Sequence, residues 1–530
     1  MKIRSLLAAL CVALVVACNA PADSQHGGLT FIHLNDTYRV GAVEDGNAGG
    51  FGRVVTLIKK LQVQGRDVRI LHGGDFLYPS LESQLWHGAQ MVDAFNFMDA
   101  IAPMYVVAGN HEFDPRTPDH LVEAVKNSTF DWIGGNYRFA TGIEAVDKAL
   151  HPSFMFESGG KTVGIFGMLL HANDGGNDRD YVPTEPNYLD HAKRLVAELE
   201  SAGADLIIGL THVHMWTDLE MATLRAEHPR LMFIVGGHEH EPEFSELTDS
   251  RAAVMKGASN ARRIWRIDVD FDAAGMPGIT TQLIDVDTSI SSDPEYDELD
   301  KKWRAALLEV FPFLTARVGE AAVPLDAREV TIRNEESNWG NFVVDQMRGA
   351  FGEPEADLAF LNSGTLRIDD FIADDIRFED IGRTFGFSSY LRHLSMTGAE
   401  FVDVLEAGYR GTGPSKGYFP QVSGFRVCVD RSRPEGDRIV SLQLPDDDDW
   451  AEIDEQREYD VVVPDFLYRG GDGYEFPQDR PVSRPASELV YLVLDAVINA
   501  QAKGRGVGAP VDPENPRIVI LESPDQPCWP

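Results

Sequence analysis

Short apolar runs alternate with longer amphipathic stretches from Leu29 to about Asp285. Runs of this length are typical of buried strands, and the stretches between them have the spacing of helices. The pattern predicts a layered α/β domain in this part of the chain. Each of five runs ends in polar residues, and they are Leu29–Leu34, Val68–His72, Met104–Ala108, Asp205–Leu210 and Leu231–Val235.

A charged, helix-prone stretch between Asp293 and Leu314 follows this region and predicts a connector helix. A second α/β pattern runs from about Ala322 to the end of the chain. We therefore expect a leader at 1–28, a first domain at 29–290, a connector at 291–321 and a second domain at 322–530.

The first residues read as an export signal. Met1–Ala17 carries two basic residues and then an apolar run too short to span a bilayer comfortably. The run ends in Val-Val-Ala-Cys18, which resembles a bacterial lipoprotein box and makes Cys18 the candidate lipid anchor. The alternative is ordinary signal cleavage after Ala20 or Ala22. Both predict an exported chain, and lipidation would place it in the cell envelope, on the outer membrane if the cell has two membranes.

Composition narrows the class of partner. The 530 residues are 43% hydrophobic and 25% charged, which is ordinary for a globular protein. With 84 acidic against 47 basic residues the net charge is −37, so a protein that coats nucleic-acid polymers is excluded. A small anionic substrate remains compatible, because a bound metal ion reverses the local field. Nothing in the sequence fixes the oligomeric state.

Two of the four cysteines, Cys428 and Cys528, lie outside the leader. In an exported chain they could form a disulfide, or they could remain two separate buried thiols.

Candidate metal ligands follow the five apolar runs. They are carboxylate, amide and imidazole side chains, the mixture that suits Zn, Mn or Fe. Because ligands of open α/β sheets bind at strand ends, these side chains should meet in one site. In chain order they are Asp36, Asp75, Asn110 with His111, His212, and His238 with His240.

This order of motifs resembles the exported 5′-nucleotidase/UDP-sugar hydrolase family of calcineurin-like metallophosphoesterases. The resemblance implies a layered β-sandwich with flanking helices, followed by a C-terminal α/β nucleotide-binding domain. It also implies two divalent metal ions, Zn, Mn or similar. Asp75 would bridge them, Asp36 and His240 would complete site one, and Asn110, His212 and His238 would complete site two.

The resemblance also implies a catalytic pair, His111 with Asp114 three residues later. The histidine would stabilise developing charge or assist the leaving group, and the aspartate would orient it. Glu112 and Glu239 are expected either to contact the residues that bind the metals, without binding metal themselves, or to face solvent.

One position departs from the family. Most relatives have a histidine two residues after the first aspartate, and here Tyr38 stands there. Tyr78, in Asp-x-x-Tyr spacing after Asp75, is similar to the iron-binding tyrosine of purple acid phosphatases. Either tyrosine, deprotonated, could bind ferric iron at site one, or each could line the cleft without touching metal.

The second half carries the motifs that the family uses to hold a nucleotide. Asn362 and Arg367 lie in an N-x-G-x-x-R turn, and Arg333 occupies the place of another substrate-facing arginine. Phe419 and Phe466 match the two rings that sandwich the base, and Asp472 matches an acceptor for the nucleoside.

The resemblance thus predicts an exported phosphohydrolase that releases phosphate from nucleoside 5′-monophosphates by attack of a metal-activated hydroxide. Two alternatives stay open. One is a broader hydrolase acting on UDP-sugars, NAD or 2′,3′-cyclic nucleotides. The other is a non-catalytic nucleotide-binding envelope protein whose metal site has decayed, with Tyr38 as the first symptom.

Overall fold

The structure is a computed structural model that describes residues 28–115, 117–170, 187–411, 416–446, 449–521, 523 and 526–529. The predicted leader and Cys18 lie outside the described residues. Within those ranges, every helix is too short or too polar to cross a membrane.

The first half of the chain, from β1 to β13 at residues 29–285, contains thirteen described strands and seven described α-helices. The strands are β1 Leu29–Leu34, β2 Asp67–His72, β3 Met104–Val106, β4 Asp131–Ile133, β5 Leu150–His151, β6 Ser153–Ser158, β7 Lys161–Leu169, β8 Leu206–His212, β9 Leu231–Gly236, β10 Glu243–Ser245, β11 Ala253–Lys256, β12 Arg263–Phe271 and β13 Pro277–Asp285. The helices are α1 Phe51–Val63, α2 Leu81–Trp86, α3 Ala89–Asp99, α4 Asp119–Asn127, α5 Glu144–Asp147, α6 Tyr188–Ser201 and α7 Met215–Ala222.

These strands form two sheets, in the orders β13-β12-β1-β2-β3-β4-β5 and β10-β11-β9-β8-β7-β6. Apolar side chains from both sheets share one core, in which the ring of Phe31 on β1 meets that of Phe233 on β9 at 5.6 Å. The predicted sandwich is confirmed. All five apolar runs of the sequence are strands, displaced by at most two residues at either end.

The connector is α8 Pro294–Val310. Its start is set by Asp293, whose carboxylate accepts hydrogen bonds from the backbone N–H groups of Glu295 and Tyr296 at 3.1 and 3.2 Å. Proline at the first helical position suits this start, because its missing N–H would have no partner within the helix.

The second half of the chain, which follows the connector from residue 317 onward, forms a separate set of sheets and two cores of its own. Its strands are β14 Arg317–Glu320, β15 Leu325–Asp326, β16 Leu358–Asn362, β17 Phe371–Ile372, β18 Asp375–Arg377, β19 Tyr390–Thr397, β20 Pro420–Ser423, β21 Arg426–Asp430, β22 Ile439–Asp446, β23 Asp449–Glu452, β24 Glu458–Pro464, β25 Ala486–Glu488 and β26 Ile518–Leu521. Its helices are α9 Glu329–Ile332, α10 Asn338–Arg348, α11 Phe378–Thr384, α12 Gly398–Glu406, α13 Asp465–Tyr468 and α14 Leu489–Ala502.

The larger sheets of this half have the orders β20-β16-β24-β19-β25 and β23-β22-β21-β26, and two-stranded pairs join β14 to β18 and β15 to β17. Helix α10 packs on β16 and β20. The mixed sheet with a helix against it confirms the α/β class predicted for this region.

The C-terminal tail is tied back to β21. Cys428 and Cys528 form a disulfide, which resolves the alternative left open by the sequence. Beside it the guanidinium of Arg426 lies 4.1 Å from the ring centre of Trp529 and 4.4 Å from that of Trp450. Beyond the pairing of β26 with β21, the disulfide and this cation–π contact therefore hold Cys528 and Trp529 in place.

Candidate active site

The predicted ligands meet because their strands are parallel neighbours. β1, β2 and β3 run parallel in one sheet, and β8 and β9 run parallel in the other. Their carboxyl ends lie at the same edge of the sandwich, where the chain turns sharply. Four predicted ligands adopt a left-handed backbone there, with φ of 51° at Asp36, 58° at Asp75, 87° at His238 and 64° at His240. A left-handed backbone costs energy in a non-glycine residue, and such residues often cluster at functional sites.

Glycines allow the loops to approach one another. A Cβ on Gly237 would lie 2.3 Å from the carbonyl oxygen of Gly73 and 2.7 Å from Asp36 Oδ2. A Cβ on Gly109 would lie 2.0 Å from Asp75 Oδ1. Any side chain at these two positions would push the ligand loops apart.

Asp36 is fully buried, and its two oxygens differ. Oδ2 accepts hydrogen bonds from Asn35 Nδ2 at 2.6 Å and from the backbone N–H of His238 at 2.9 Å. Oδ1 has no hydrogen-bond partner among the described residues and lies 3.3 Å from His240 Nε2. Burial acts to raise the pKa of Asp36, but His240 and His212 outweigh it and hold that pKa well below its usual range.

A second cluster surrounds Asp75. His212 Nε2 lies 3.2 Å from Asp75 Oδ2 and 3.2 Å from Asn110 Oδ1. His212 Nδ1 is 2.6 Å from the carbonyl oxygen of Gly73, so Nδ1 donates and Nε2 is free to act as a ligand. Ligand atoms of Asp36, Asp75 and His212 lie within 4.8 Å of one another. The half-buried His238 is beside them, its ring centre 5.4 Å from that of His212.

These residues fit divalent cations. A buried carboxylate oxygen without a donor is costly unless a cation satisfies it, and Asp36 Oδ1 is such an atom. The neighbouring donor atoms are carboxylate oxygens, an amide oxygen and imidazole nitrogens, which are the ligands that Zn and Mn accept. The geometry thus brings together all six side chains predicted as metal ligands.

His111 and Asp114 form a close pair at the same edge. His111 Nδ1 lies 2.5 Å from Asp114 Oδ2, so Nδ1 donates and Nε2 faces the cluster, 3.9 Å from Asp75 Oδ2. Burial opposes the charged imidazolium, but Asp114 and Asp75 outweigh it and raise the pKa of His111. The pair therefore directs the Nε2 side of the imidazole toward the centre of the site.

Tyr38 lies inside the site, 7% exposed, and its hydroxyl is 3.1 Å from His240 Nε2. The guanidinium of Arg367, from the second half of the chain, lies 4.9 Å from the centre of its ring. Burial and the carboxylate of Asp75 raise the pKa of Tyr38 well above its ordinary value. The phenol is therefore neutral, which makes it a weak ligand.

Tyr78 lies against the second half of the chain, and its binding to a metal stays a prediction. Its ring packs on Phe387 of the second half, with centres 5.5 Å apart, and its described contacts include no predicted ligand. Burial and the carboxylate of Asp114 raise the pKa of Tyr78 to about 12. Phe387 also lies 5.7 Å from the ring of His111, a contact that sequence reasoning missed.

Two buried ionisable side chains, Glu112 and Lys256, hold the ligand loops in place by hydrogen bonds. Glu112 accepts four backbone N–H groups, from Asp75 at 3.0 Å, Phe76 at 2.8 Å, Leu77 at 2.9 Å and Gly109 at 2.5 Å. It therefore binds the loop of Asp75 to that of Asn110, which agrees with the first of the two roles expected for it.

The second support, Lys256, was not predicted. Its ammonium is fully buried and donates to the carbonyl oxygens of Val213 and Gly237, which are neighbours of His212 and His238. The side chains of Glu239 and Asp218 balance its charge. Glu239 is thus buried behind the ligands. A lone lysine at the end of a short apolar strand gave no signal that could have identified this role.

Both predicted arginines of the second half reach the site. Arg333 and Arg367 have side chains 5% and 6% exposed, and both lie beside Glu329. Arg333 Nε and Arg367 Nη2 are buried donors without an acceptor in the described part of the chain. Together with the free oxygen of Asp36, the cleft therefore holds one unsatisfied acceptor and two unsatisfied donors.

The remaining predicted residues adjoin the arginines. Asn362 Nδ2 donates to Asp472 Oδ2 at 2.8 Å, and the carbonyl oxygen of Phe419 accepts from the backbone N–H of Ser363 at 2.8 Å. Phe466 packs against Gly471, next to Asp472. The two aromatic residues are unequal, however. Phe466 is 54% exposed, but Phe419 is 2% exposed with its ring against Tyr409, so only Phe466 presents an open face.

Two family models match this chain. The calcineurin-like phosphoesterase model matches residues 29–242, and the model of the 5′-nucleotidase C-terminal domain matches residues 317–479. The chain belongs to the 5′-nucleotidase family of calcineurin-like phosphoesterases. The resemblance inferred from the sequence is confirmed, and the family makes the chain a metallophosphoesterase that hydrolyses phosphoric monoesters.

Two curated relatives that align over most of their length illustrate the match. A Homo sapiens 5′-nucleotidase is 24% identical over 526 residues, which cover 89% of this chain and 88% of the relative. An Aedes aegypti apyrase is 23% identical over 491 residues, covering 84% and 85%. Among solved structures, a 5′-nucleotidase precursor from Thermus thermophilus superposes with a TM-score of 0.80 at 23% identity, covering 94% of this chain and 100% of that one. This superposition shows that the two chains share a fold.

Proposed function

We propose that this protein releases phosphate from nucleoside 5′-monophosphates. One observation carries the proposal: a buried acceptor that lacks a donor, Asp36 Oδ1, shares a cleft with buried donors that lack an acceptor, Arg333 Nε and Arg367 Nη2. A cation would satisfy the first and a phosphate oxygen the others. A metal-bound phosphate monoester supplies both at once.

The chain would hold two divalent ions. Asp75 would contact both, with Asp36 and His240 on one side and Asn110, His212 and His238 on the other. Bound there, the ions would supply Lewis-acid stabilisation of the phosphate and lower the pKa of a water molecule. Sites of this mixed oxygen and nitrogen type accept Zn or Mn, and iron at site one would need Tyr38 as its phenolate.

His111 would act on the substrate directly. With Nδ1 committed to Asp114 at 2.5 Å, Nε2 would be the nitrogen that donates to a phosphate or leaving-group oxygen. Asp114 would orient the ring, and its carboxylate favours the charged imidazolium by raising the pKa of His111. Arg333 and Arg367 would neutralise the remaining charge and fix the phosphate in place, because a guanidinium binds two oxygens in one plane.

The second half would hold the nucleoside. The exposed ring of Phe466 offers a stacking face, and the edge of the buried Phe419 would close the other side. Asn362 and Asp472 would together bind hydroxyl groups of the sugar or amino groups of the base. Stacking tolerates different bases, so we expect nucleotides with different bases to be accepted.

We further propose that residues 29–290 carry the chemistry, 322–530 the substrate specificity, and 291–321 the connection between them. Residues 1–28 would export the chain, with Cys18 as a lipid anchor in the cell envelope. The disulfide of Cys428 with Cys528 supports an oxidising compartment. The protein would then obtain nucleoside and phosphate from nucleotides outside the cytoplasm.

The test is phosphate release from AMP by leader-free protein, stripped of metal and reloaded separately with Mn, Zn, Co, Mg or Fe. We expect turnover that depends on the added ion. The same preparations are assayed with UDP-glucose, NAD and 2′,3′-cyclic AMP. Hydrolysis of these with AMP untouched would favour the broader hydrolase, and silence on every substrate with every ion would favour a decayed metal site.

A further inference from the structure

Glu329, at the start of α9 in the second half, has its carboxylate inside the metal site of the first half. The side chain is 3% exposed. Its Oε2 lies 2.5 Å from Nδ1 of His240, one of the proposed metal ligands. Its Oε1 lies 2.5 Å from an Nη2 of Arg333 and 3.8 Å from an Nη1 of Arg367. A single carboxylate thus joins a proposed metal ligand to both arginines that are proposed to bind the phosphate.

The backbone of Glu329 is anchored to the first half as well. Its N–H donates to Asp369 Oδ1 at 2.8 Å. The other oxygen of Asp369 accepts from Ser259 Oγ at 3.1 Å and from Arg262 Nη1 at 2.6 Å, and both donors belong to the first half. Glu329 is therefore placed by contacts on both sides of the cleft, and its carboxylate has little freedom to move.

The contact with His240 decides which of its nitrogens can bind a metal. Because Nδ1 donates to Glu329, the lone pair is on Nε2. That nitrogen faces Asp36 Oδ1 at 3.3 Å and the hydroxyl of Tyr38 at 3.1 Å. A carboxylate on the far nitrogen of a ligating histidine fixes the ring and increases its basicity, and losing such a partner costs about 10–100-fold in metal affinity.

We propose that Glu329 is a positioning residue through which the second half of the chain completes the metal centre of the first half. It orients His240 for the metal and holds Arg333 and Arg367 at the phosphate. Binding of metal and binding of phosphate are thereby coupled through one side chain. This inference rests on the proposed ligation by Asp36 and His240, and on no particular substrate.

The test measures metal affinity in the full leader-free protein, by calorimetric titration of metal-stripped protein with Mn²⁺ and with Zn²⁺ in the absence of nucleotide. Glu329→Gln keeps the size of the side chain and removes its charge. We expect an affinity about 10–100-fold weaker than in the wild type for one of the two ions bound. Glu329→Asp keeps the charge on a shorter side chain, so its metal affinity should fall between those of the wild type and Glu329→Gln.

The matched control is Arg383→Gln. Arg383 Nη2 lies 3.8 Å from Glu82 of the first half and 3.5 Å from Glu379, and its described ion pairs involve no proposed metal ligand. The substitution removes a charged contact between the halves without reaching the site, so the metal affinity should stay within twofold of the wild type. Circular dichroism of the metal-free variants reports whether each has folded.

Wild-type metal affinity in Glu329→Gln would overturn the proposal. An equal loss in Arg383→Gln would also overturn it, because the effect would then come from loosened halves. Wild-type protein that binds metal but leaves AMP intact would contradict the proposed substrate and leave this inference to be decided by the metal affinities.

Discussion

The hydroxyl of Tyr38 lies 3.1 Å from Nε2 of His240, one of the proposed metal ligands. The tyrosine thus points toward site one, and its ring also lies under the guanidinium of Arg367. One side chain thus contacts both a candidate ligand of the first half and an arginine of the second half.

Tyr38→Phe and Tyr38→His separate the two roles of this residue. Since burial keeps the phenol neutral, we expect Tyr38→Phe to leave the affinity for Zn²⁺ and Mn²⁺ nearly unchanged. Tyr38→His adds an imidazole ligand and should raise it by about tenfold. Calorimetric titration of stripped protein measures both. A coloured protein after loading with ferric iron, bleached by Tyr38→Phe, would instead show that the phenolate binds the metal.

His111→Ala should fold and retain metal but lose about 10²–10⁴-fold in kcat on AMP, because the proton donor at the phosphate is gone. Asp114→Asn keeps a side chain of the same size that can still hydrogen-bond, but it removes the charge that raises the pKa of His111. Its kcat on AMP should therefore lie between those of His111→Ala and the wild type. Metal content by elemental analysis accompanies the kinetics. Full activity in His111→Ala would remove this residue from the mechanism.

Phe466→Ala should weaken the binding of AMP and leave the binding of substrates without a base unchanged. Stacking on an aromatic ring contributes about 1–3 kcal/mol per base, so KM for AMP should rise by about 5–150-fold. The ring is more than half exposed, and its removal should cost little stability. A small aryl phosphate, which has no base, should be hydrolysed as before. Equal losses on both substrates would show that Phe466 does not stack on the base.

Asp380 provides a pH test away from the metal site. Burial, assisted by Glu379, raises the pKa of Asp380 to about 6, although a backbone N–H at Arg377 opposes the shift. The unfolded chain has a value of about 3.9, so the folded state is penalised increasingly as pH rises from about 4 to about 6. Asp380→Asn removes the titration and should stabilise the protein by about 1–2 kcal/mol at pH 7 but not at pH 4.

Urea unfolding midpoints at the two pH values measure this difference. The control is Asp403→Asn, at an exposed carboxylate on α12, which should change stability by at most about 0.5 kcal/mol at either pH. A gain of equal size for Asp380→Asn at both pH values would contradict the assigned pKa.

The sequence identified six candidate ligands because each lies at or just after the end of a buried strand, and parallel strands end at one edge of a sheet. Asp36 and His240 are 204 residues apart, yet both follow apolar runs that the pattern identifies. The connector helix was equally readable, since Asp293 and Pro294 mark its start. Local signals placed the elements, and the order of motifs placed the ligands relative to one another.

Contacts between the halves could not be predicted in this way. Glu329 follows His240 by 89 residues and sits in a helix of one turn with no periodicity that points to His240. Lys256 ends an apolar strand, where its burial depends on Glu239 and Asp218 from other elements. The different exposure of Phe419 and Phe466 likewise comes from packing in the second half. These features arise from tertiary contacts, which a single sequence does not encode locally.

The tail that contains Trp529 carries its own fluorescent reporter. A tryptophan ring beside a guanidinium and a disulfide has an emission that changes when water replaces those neighbours. Reduction of Cys428–Cys528 would free the tail, so intrinsic fluorescence would follow the redox state of the purified protein in real time. A preparation made in a reducing cytosol could be distinguished from one made in an oxidising compartment before any activity is assayed.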